Sequence, residues 1–482
     1  MSLYQQLFVA PLFFSFLSAC ICAWFSFRPS KKKYTQAVST FFLFASLLAT
    51  IGSLIHLSPE PLVYEYGGWP SPWGIVFFGD VFSLSFIFLL SVLAIISWVF
   101  AFVHVSLLKQ SMFFFLLFAL YGMILTQDLF NFYVFLEICS IAIYGLLFDR
   151  KHPASAWFTF RYLSINTVAA SFYLMGLAFV YSSCGSLNMA DLSTLIDTHN
   201  LTDKIGIFLI SLGFCIKIAL WPLHDWLTGA YGSSESHTTA FIAGIVTKVF
   251  CIFLIRFFFS VLGGAEYASS TANLILIFSC LSVIIAPYLA SKQSDARVLL
   301  AYSSISQIAY IGIAVGEGSM LAFHAACFQI FHHAIGKTAL FFLASVIHKK
   351  TGTYEISNWR YWPSTSKWMT GVIVLCLLSF LGIPPLPGFF VKYWLFQSAL
   401  QSSHFFVIVS ITLGSISTLL YVFFIIEQFF EKQDLNDFAS TSETKFRISQ
   451  KICIASLSIL MLFLIGAYPY FESWMKIEGF RP

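Results

Sequence analysis

The sequence predicts an all-α polytopic membrane protein of about 14 transmembrane helices, with two inverted five-helix repeats that each contain a broken helix. Three observations carry this. Hydrophobic residues make up 59% of the 482 and charged residues 10%, against about 25% charged in soluble domains. At about 20 residues per span, apolar segments fall at about 5–27, 36–56, 80–103, 111–127, 131–148, 161–183, 205–231, 239–260, 272–291, 298–316, 319–347, 368–400, 405–430 and 450–470. Two of them, 205–231 and 368–400, are interrupted by proline with a lysine beside the interruption. The polar stretches left over are too short for a soluble domain, which argues against nucleotide binding or redox chemistry within this subunit.

The basic residues give an orientation. With both termini outside, the cytoplasmic loops hold Arg28, Lys31, Lys32, Lys33, Lys109, Arg150, Lys151, Arg161, Lys292, Arg297, Lys349, Lys350, Arg360, Lys367, Lys432, Lys445, Arg447 and Lys451. The outer side holds only Lys204, Arg256, Lys476 and Arg481. Such a bias toward the cytoplasm supports an even number of spans. The other four, Lys217, Lys248, Lys337 and Lys392, lie inside spans.

From the N-terminus, residues 1–27 have no basic stretch before their apolar run and read as an uncleaved first span. The first three spans, within 1–110, are peripheral. The outer loop GGWPSPWGI (67–75) reads as an interfacial aromatic anchor, and Asp80 after it as a helix N-terminal cap. Glu137 sits inside the fifth span with no basic residue within helical reach. A carboxylate there needs a partner on another helix or must take up a proton; Lys217 is the candidate.

Lys217 precedes Trp221-Pro222 in the first broken span. A lysine at mid-membrane costs about 2.5–3.5 kcal/mol on insertion scales. Proline in the same helix frees backbone groups that need other partners. Both costs in one segment point to an ion path rather than to a snorkelling side chain. His224 and Asp225 follow the Pro222 break; they either line an aqueous entrance or satisfy the freed backbone. Lys248 lies in the next span, which closes a first repeat at 111–260.

The second repeat, 261–430, carries AYSSISQIAY (301–310), whose hydroxyl and amide groups can join helices. Its next span holds His324, His332, His333 and Lys337. Imidazole titrates near neutrality and suits a proton relay. His324 and Lys337 share a face about 20 Å apart at 1.5 Å per residue. No carboxylate or cysteine completes a metal site with these histidines, so no metal is expected. The ten cysteines lack CxxC spacing, so no iron–sulfur cluster or other cofactor is expected. The second break combines Pro384, Pro385 and Pro387 with Gly388 and then Lys392. Five spans separate the two breaks. An odd repeat length makes the copies cross the membrane in opposite directions, the pattern of transporters with sites at discontinuous helices. A C-terminal loop and last span occupy 431–482.

These residues resemble a known family. The glutamate of the fifth span, KxxxWPLHDWL around Lys217, TKVxxxxLIRxF around Lys248, AYSSISQIAY and the His-to-Lys337 run are similar to the antiporter-like membrane subunits of respiratory complex I, membrane-bound hydrogenases and Mrp cation/proton antiporters. Within that family the chain looks most like the D subunits of Mrp antiporters, on the GGWPSPWGI loop, Gly229-Ala230-Tyr231, and lysine at 392. It departs from the usual proline after HDWL and the Ala-Pro pair beyond, having Thr228 and SSES. The resemblance implies a proton-conducting subunit of a hetero-oligomeric Na⁺/H⁺ antiporter in the bacterial cytoplasmic (inner) membrane. Its partners would be the other subunits, H⁺ and Na⁺, and the lipid bilayer, with no nucleic acid.

Charge counting adds a mechanism. Four interior lysines against one glutamate would leave a net +3 in the bilayer, untenable without water or neutralisation. The expected relay runs from Glu137 and Lys217 through Lys248, then His324, His332 or His333 with Lys337, to Lys392. A lysine-lined path repels Na⁺, which needs oxygen ligands, so the sodium site is expected elsewhere in the complex. The competing reading is the same relay in a redox-driven NADH:quinone oxidoreductase or hydrogenase. A structural anchor without transport leaves the buried charges unexplained.

Overall fold

The computed structural model describes residues 6–57, 60–149, 154–263, 269–431 and 447–475. Six residues used for orientation, Arg150, Lys151, Lys432, Lys445, Lys476 and Arg481, lie outside these. The described chain is almost entirely helical, and proceeds as α1 (Ala10–Phe25), α2 (Lys32–Ile55), a hairpin of β1 (Leu62–Glu65) and β2 (Val76–Gly79), α3 (Val81–Phe100), α4 (Leu107–Leu125), α5 (Leu129–Leu147) and α6 (Ser155–Cys184). Short α7 (Met189–Leu195) leads to the first broken pair, α8 (Leu201–Lys217) and α9 (Asp225–Ser233), and to α10 (Ser236–Val261). Then come α11 (Ser269–Ala290), α12 (Ala296–Glu317), α13 (Met320–Thr351), the second broken pair α14 (Lys367–Leu381) and α15 (Pro387–Gln401), α16 (Phe405–Gln428) and α17 (Ile448–Trp474).

Among the described residues, 11 helices are long and apolar enough to cross a membrane. The expected 14 would also count the shorter α1 and each broken pair once. The protein is a multi-pass helical membrane protein. The polar stretch before the first break forms the short helix α7, capped by the Asn188 side chain.

The strand register pairs Leu62 with Gly79 and Glu65 with Val76, antiparallel. Phe77 bridges to Thr126 and Asp128 to Asn188, so the hairpin, the α4–α5 turn and the approach to α7 meet at one end of the bundle. At the other end, Asp295 bridges to Glu355, Ala296 N–H donates to Tyr354 O at 2.8 Å and Lys109 pairs with Glu235. Lys349 and Lys350 end α13 at that same face. The predicted cytoplasmic loops thus gather at one basic end.

Helices α10 and α13 are buried along their whole apolar windows, whereas α17 turns most of its surface outward. Where α6 meets α8, the backbones come close enough that a Cβ on Gly176 would lie 2.7 Å from Gly206 O. Small residues permit such contact where lipid supplies no hydrophobic drive between helices. α10 is not regular: residues Ile242–Val246 and Arg256–Val261 are π-helical, flanking Lys248 on both sides. Such segments release carbonyls from the ordinary ladder and are frequent at functional sites.

Candidate functional site

Each break leaves helix-end carbonyls without intrahelical partners, and a lysine stands at each. Lys217 is the last residue of α8, where a cation complements the helix dipole. It is buried, donates to Ser140 Oγ on α5 at 3.2 Å and lies 5.7 Å from the Phe250 ring. Two residues on, Ala219 takes a left-handed conformation at φ 58°. A non-glycine residue there costs of order 1–3 kcal/mol and persists only if its surroundings enforce it. Trp221 N–H donates to Ser282 Oγ at 2.8 Å and Trp226 Nε1 to Ile216 O at 2.9 Å, so partners from the fold tie down the broken backbone.

Glu137 is half-buried on α5, one turn before Ser140, within electrostatic reach of Lys217. It makes no ion pair with Lys217; the hydroxyl of Ser140 stands in as the direct partner. At the break, the His224 ring is buried 5.8 Å from that of Tyr302, and its Nδ1 has no hydrogen-bond partner. Asp225 is exposed and ion-paired with Arg161. A cavity of about 360 Å³ beside Pro222 is lined by Asp225, Ser164 and apolar side chains.

From Lys217 the buried groups continue inward. Lys248 is buried and donates to Ala243 O, one of the carbonyls of the π-helical turn, and to Thr247 Oγ1 at 3.3 Å. Beside it a void of about 10 Å³, lined by Ile124, Gly244 and Ile330 among others, is at the lower bound of room for one water. His333 lies where both Lys248 and Lys337 act on it electrostatically; it is fully buried and neither ring nitrogen has a hydrogen-bond partner. Lys337 donates to Leu300 O at 3.1 Å and to Ser303 Oγ, with the Phe380 ring 5.0 Å away.

His332 points elsewhere, as adjacent residues on a helix do. Its Nδ1 meets Gln329 Oε1 at 3.0 Å and its Nε2 meets Ser379 Oγ at 2.9 Å, at the second break. A Cβ on Gly388 would fall 1.9 Å from Ser379 O and 3.1 Å from the His332 ring, so only glycine allows α15 to start there. Pro387 opens α15, and Pro384 and Pro385 lie in the break itself. Lys392, one turn into α15, donates back to Leu381 O, the last residue of α14, at 2.7 Å. It also donates to Ser415 Oγ at 2.9 Å and lies over the Tyr310 ring at 5.3 Å.

Of the eight expected relay residues, Lys248, His333, Lys337, His332 and Lys392 act on one another electrostatically, Glu137 acts on Lys217 as a separate pair, and His324 stands apart. Its Nε2 faces Met475 O at 3.3 Å, beside Trp394 and the end of α17. Among the described residues no three His, Cys, Asp or Glu side chains converge to hold a metal.

Two features escaped the sequence reading. Ser140 and Ser415, which receive Lys217 and Lys392, resemble any other membrane serine in sequence, whereas Ser303, which receives Lys337, lies in the AYSSISQIAY stretch. The burial of Arg256, assigned to the outer side, is the second: it donates to Asp80 Oδ1 at 3.1 Å, Ser83 Oγ at 2.6 Å and Ile124 O at 3.0 Å. Asp80 caps α3 through Ser83 N–H at 2.8 Å, as expected, and holds this ion pair as well. The pair lines a cavity of about 370 Å³ under the hairpin.

The fold and the site define a multi-pass helical protein whose interior carries a line of ionisable side chains between two helix breaks. Residues 126–420 match the family described as NADH:quinone oxidoreductase/Mrp antiporter, TM, and the chain belongs to that family. It is 33% identical over 416 residues to the N subunit of the NADH-quinone oxidoreductase of Desulforudis audaxviator, covering 84% of this chain and 82% of that protein. It is 28% identical over 482 residues to the D subunit of the Na(+)/H(+) antiporter of Alkalihalophilus pseudofirmus, covering 98% of this chain and 96% of that one. A chain of the Mrp complex from a Dietzia species superposes with a TM-score of 0.85 at 20% identity, over 98% of this chain and 96% of that chain.

Proposed function

We propose that this chain is the proton-translocating membrane subunit of a multisubunit Na⁺/H⁺ antiporter in a bacterial cytoplasmic membrane, working beside partner subunits that hold the sodium site. The observation that carries the reading is a set of buried amines and imidazoles: Lys248, His333, Lys337, His332 and Lys392 act on one another electrostatically, and Lys217 is buried with Glu137 acting on it. Amines out of water are costly to keep charged together, so each proton gained at one position disfavours the next. That repulsion moves charge stepwise without a redox group. Glu137 acts on Lys217 as the counter-charge at one end, and its half-exposed position suits contact with a neighbouring subunit. His224 and Asp225 serve the aqueous approach. His324 lies off this line and has a peripheral role at most.

The near full-length similarity to the D subunit of a Na⁺/H⁺ antiporter supports this reading. The similarity to the N subunit of a NADH-quinone oxidoreductase supports a second one, the same relay as a proton-pumping subunit of a redox-driven complex. Purification separates them: only the redox complex carries cluster absorbance and oxidises NADH. The relay itself is tested by Lys217→Ala in membrane vesicles. Assembly at normal amounts with loss of ΔpH-driven exchange is expected, and normal exchange refutes it.

A further inference from the structure

We propose that Glu317 and His404 form the outer proton port of the second repeat, where protons pass between the external solution and Lys392; this rests on the relay reading above. Glu317 ends α12 with its side chain fully buried, while the His404 side chain is 37% exposed. His404 Nδ1 lies 2.9 Å from Glu317 Oε1, and Ser402 and Ser398 donate to Oε2 at 2.7 and 3.3 Å. A carboxylate at a helix C-terminus faces the negative end of the macrodipole, so Glu317 depends on these donors. The arrangement puts an imidazole at the surface and a carboxylate immediately behind it.

Ser403, directly before His404, adopts φ 59°. This left-handed residue turns the chain back over the end of α15 and His404 N–H onto Ala399 O at 3.0 Å. The strain is thus stored where the imidazole is aimed at the carboxylate.

Both elements that carry the pair lead to Lys392. Ser398 is six residues beyond it on α15, about 9 Å along the axis, and Tyr310 is seven residues before Glu317 on α12, about 10 Å. Tyr310 offers its ring to Lys392, and its hydroxyl lies beside Ser415, the acceptor of Lys392 Nζ. Ser319 Oγ, 2.7 Å from Ser398 Oγ, extends the polar cluster. Glu317 in turn acts electrostatically on Cys280 of α11.

In the uptake direction an external proton adds to Nε2 of neutral His404. The Nδ1–H proton then passes to Glu317 Oε1, leaving a neutral imidazole and a carboxylic acid. The acid gives its proton inward toward Lys392 and returns to carboxylate; the imidazole, left with its proton on Nε2, turns its ring over to set that N–H against Glu317 and the bare nitrogen toward solvent, and the next proton can then enter.

The experiment uses the whole complex in right-side-out vesicles, with internal pH clamped and external pH varied from about 6 to 9 across the imidazole range. His404→Gln keeps a hydrogen-bond donor to Glu317 but cannot titrate; Glu317→Gln removes the acceptor, and Lys392→Ala serves as the control. Assembly of each is checked by immunoblot, and an assembled Glu317→Gln decides the matter if His404→Gln is lost. The expected result is a fall in exchange of about 10-fold or more, as for loss of a proton-transfer group, with the dependence on external pH near neutrality flattened. If the pair is only a structural latch, His404→Gln and Glu317→Gln keep the wild-type rate and external-pH profile while Lys392→Ala is inactive; that overturns the port alone. Normal exchange by Lys392→Ala overturns the relay and the port with it.

Discussion

The two breaks share a plan and differ in how each holds its lysine. At the first, Lys217 closes a half-helix and points at Ser140, with the Glu137 carboxylate one turn further along the same neighbouring helix. At the second, Lys392 begins a half-helix and donates to Leu381 O, Ser415 Oγ and the face of Tyr310. A carboxylate within reach favours the charged amine; carbonyl, hydroxyl and ring favour it less. In the proposed relay the first lysine is the one that would keep its proton until Glu137 is drawn away, and the second the one that would give its proton up.

The comparison is sharpened first at the amines. Lys217→Ala and Lys392→Ala are each expected to abolish exchange in vesicles while leaving the complex assembled; retention of the wild-type rate by either removes that half from the path. Next in size is Glu137→Gln, expected to slow exchange by about 10²-fold, in the range for a proton-handling side chain. The second break has no carboxylate of the same kind to lose. Equal exchange in wild type and Glu137→Gln would erase the asymmetry.

Gly388→Ala comes third. Its Cβ has no room against Ser379 O, so α15 must shift and carry Lys392 off its acceptors. A loss of about 10-fold is expected from a displacement of this sort, measured as ΔpH-driven exchange at unchanged expression. Smallest are Ser140→Ala and Ser415→Ala. Each removes one acceptor from an ammonium, worth about 1.5–3 kcal/mol for a charged hydrogen bond. Ser415→Ala is expected to be the milder, because Lys392 retains Leu381 O; the reverse order in exchange rates would contradict the assignment of partners.

Much of this is legible in the residues. Pro222 and the Pro384–Pro387 group mark both breaks, and lysines within apolar segments mark the line of charge, since neither needs a distant partner to be recognised. His332 and His333 stand together in sequence and both touch Phe380, yet only His332 is hydrogen-bonded to Ser379, while Lys248 acts on His333. His324 shares their helix and reads as their equivalent; only its packing against Met475 and Trp394 sets it aside. Glu317 reads as an ordinary acid at a helix end, because its imidazole partner lies 87 residues away. The ion pair of Arg256 does not show in the sequence, because Asp80 is 176 residues distant.

The sequence by itself determined that the chain crosses the membrane many times, where two helices break and which amines are submerged. Each of these follows from hydropathy or backbone chemistry within a short window. The tertiary structure decided which oxygen each amine meets: Ser140 for Lys217 across 77 residues, Ser303 for Lys337 across 34 and Ser415 for Lys392 across 23. A serine costs little anywhere in a helical bundle, so nothing local distinguishes the one that receives a charge. Helix packing makes that choice, by bringing distant segments within hydrogen-bond range.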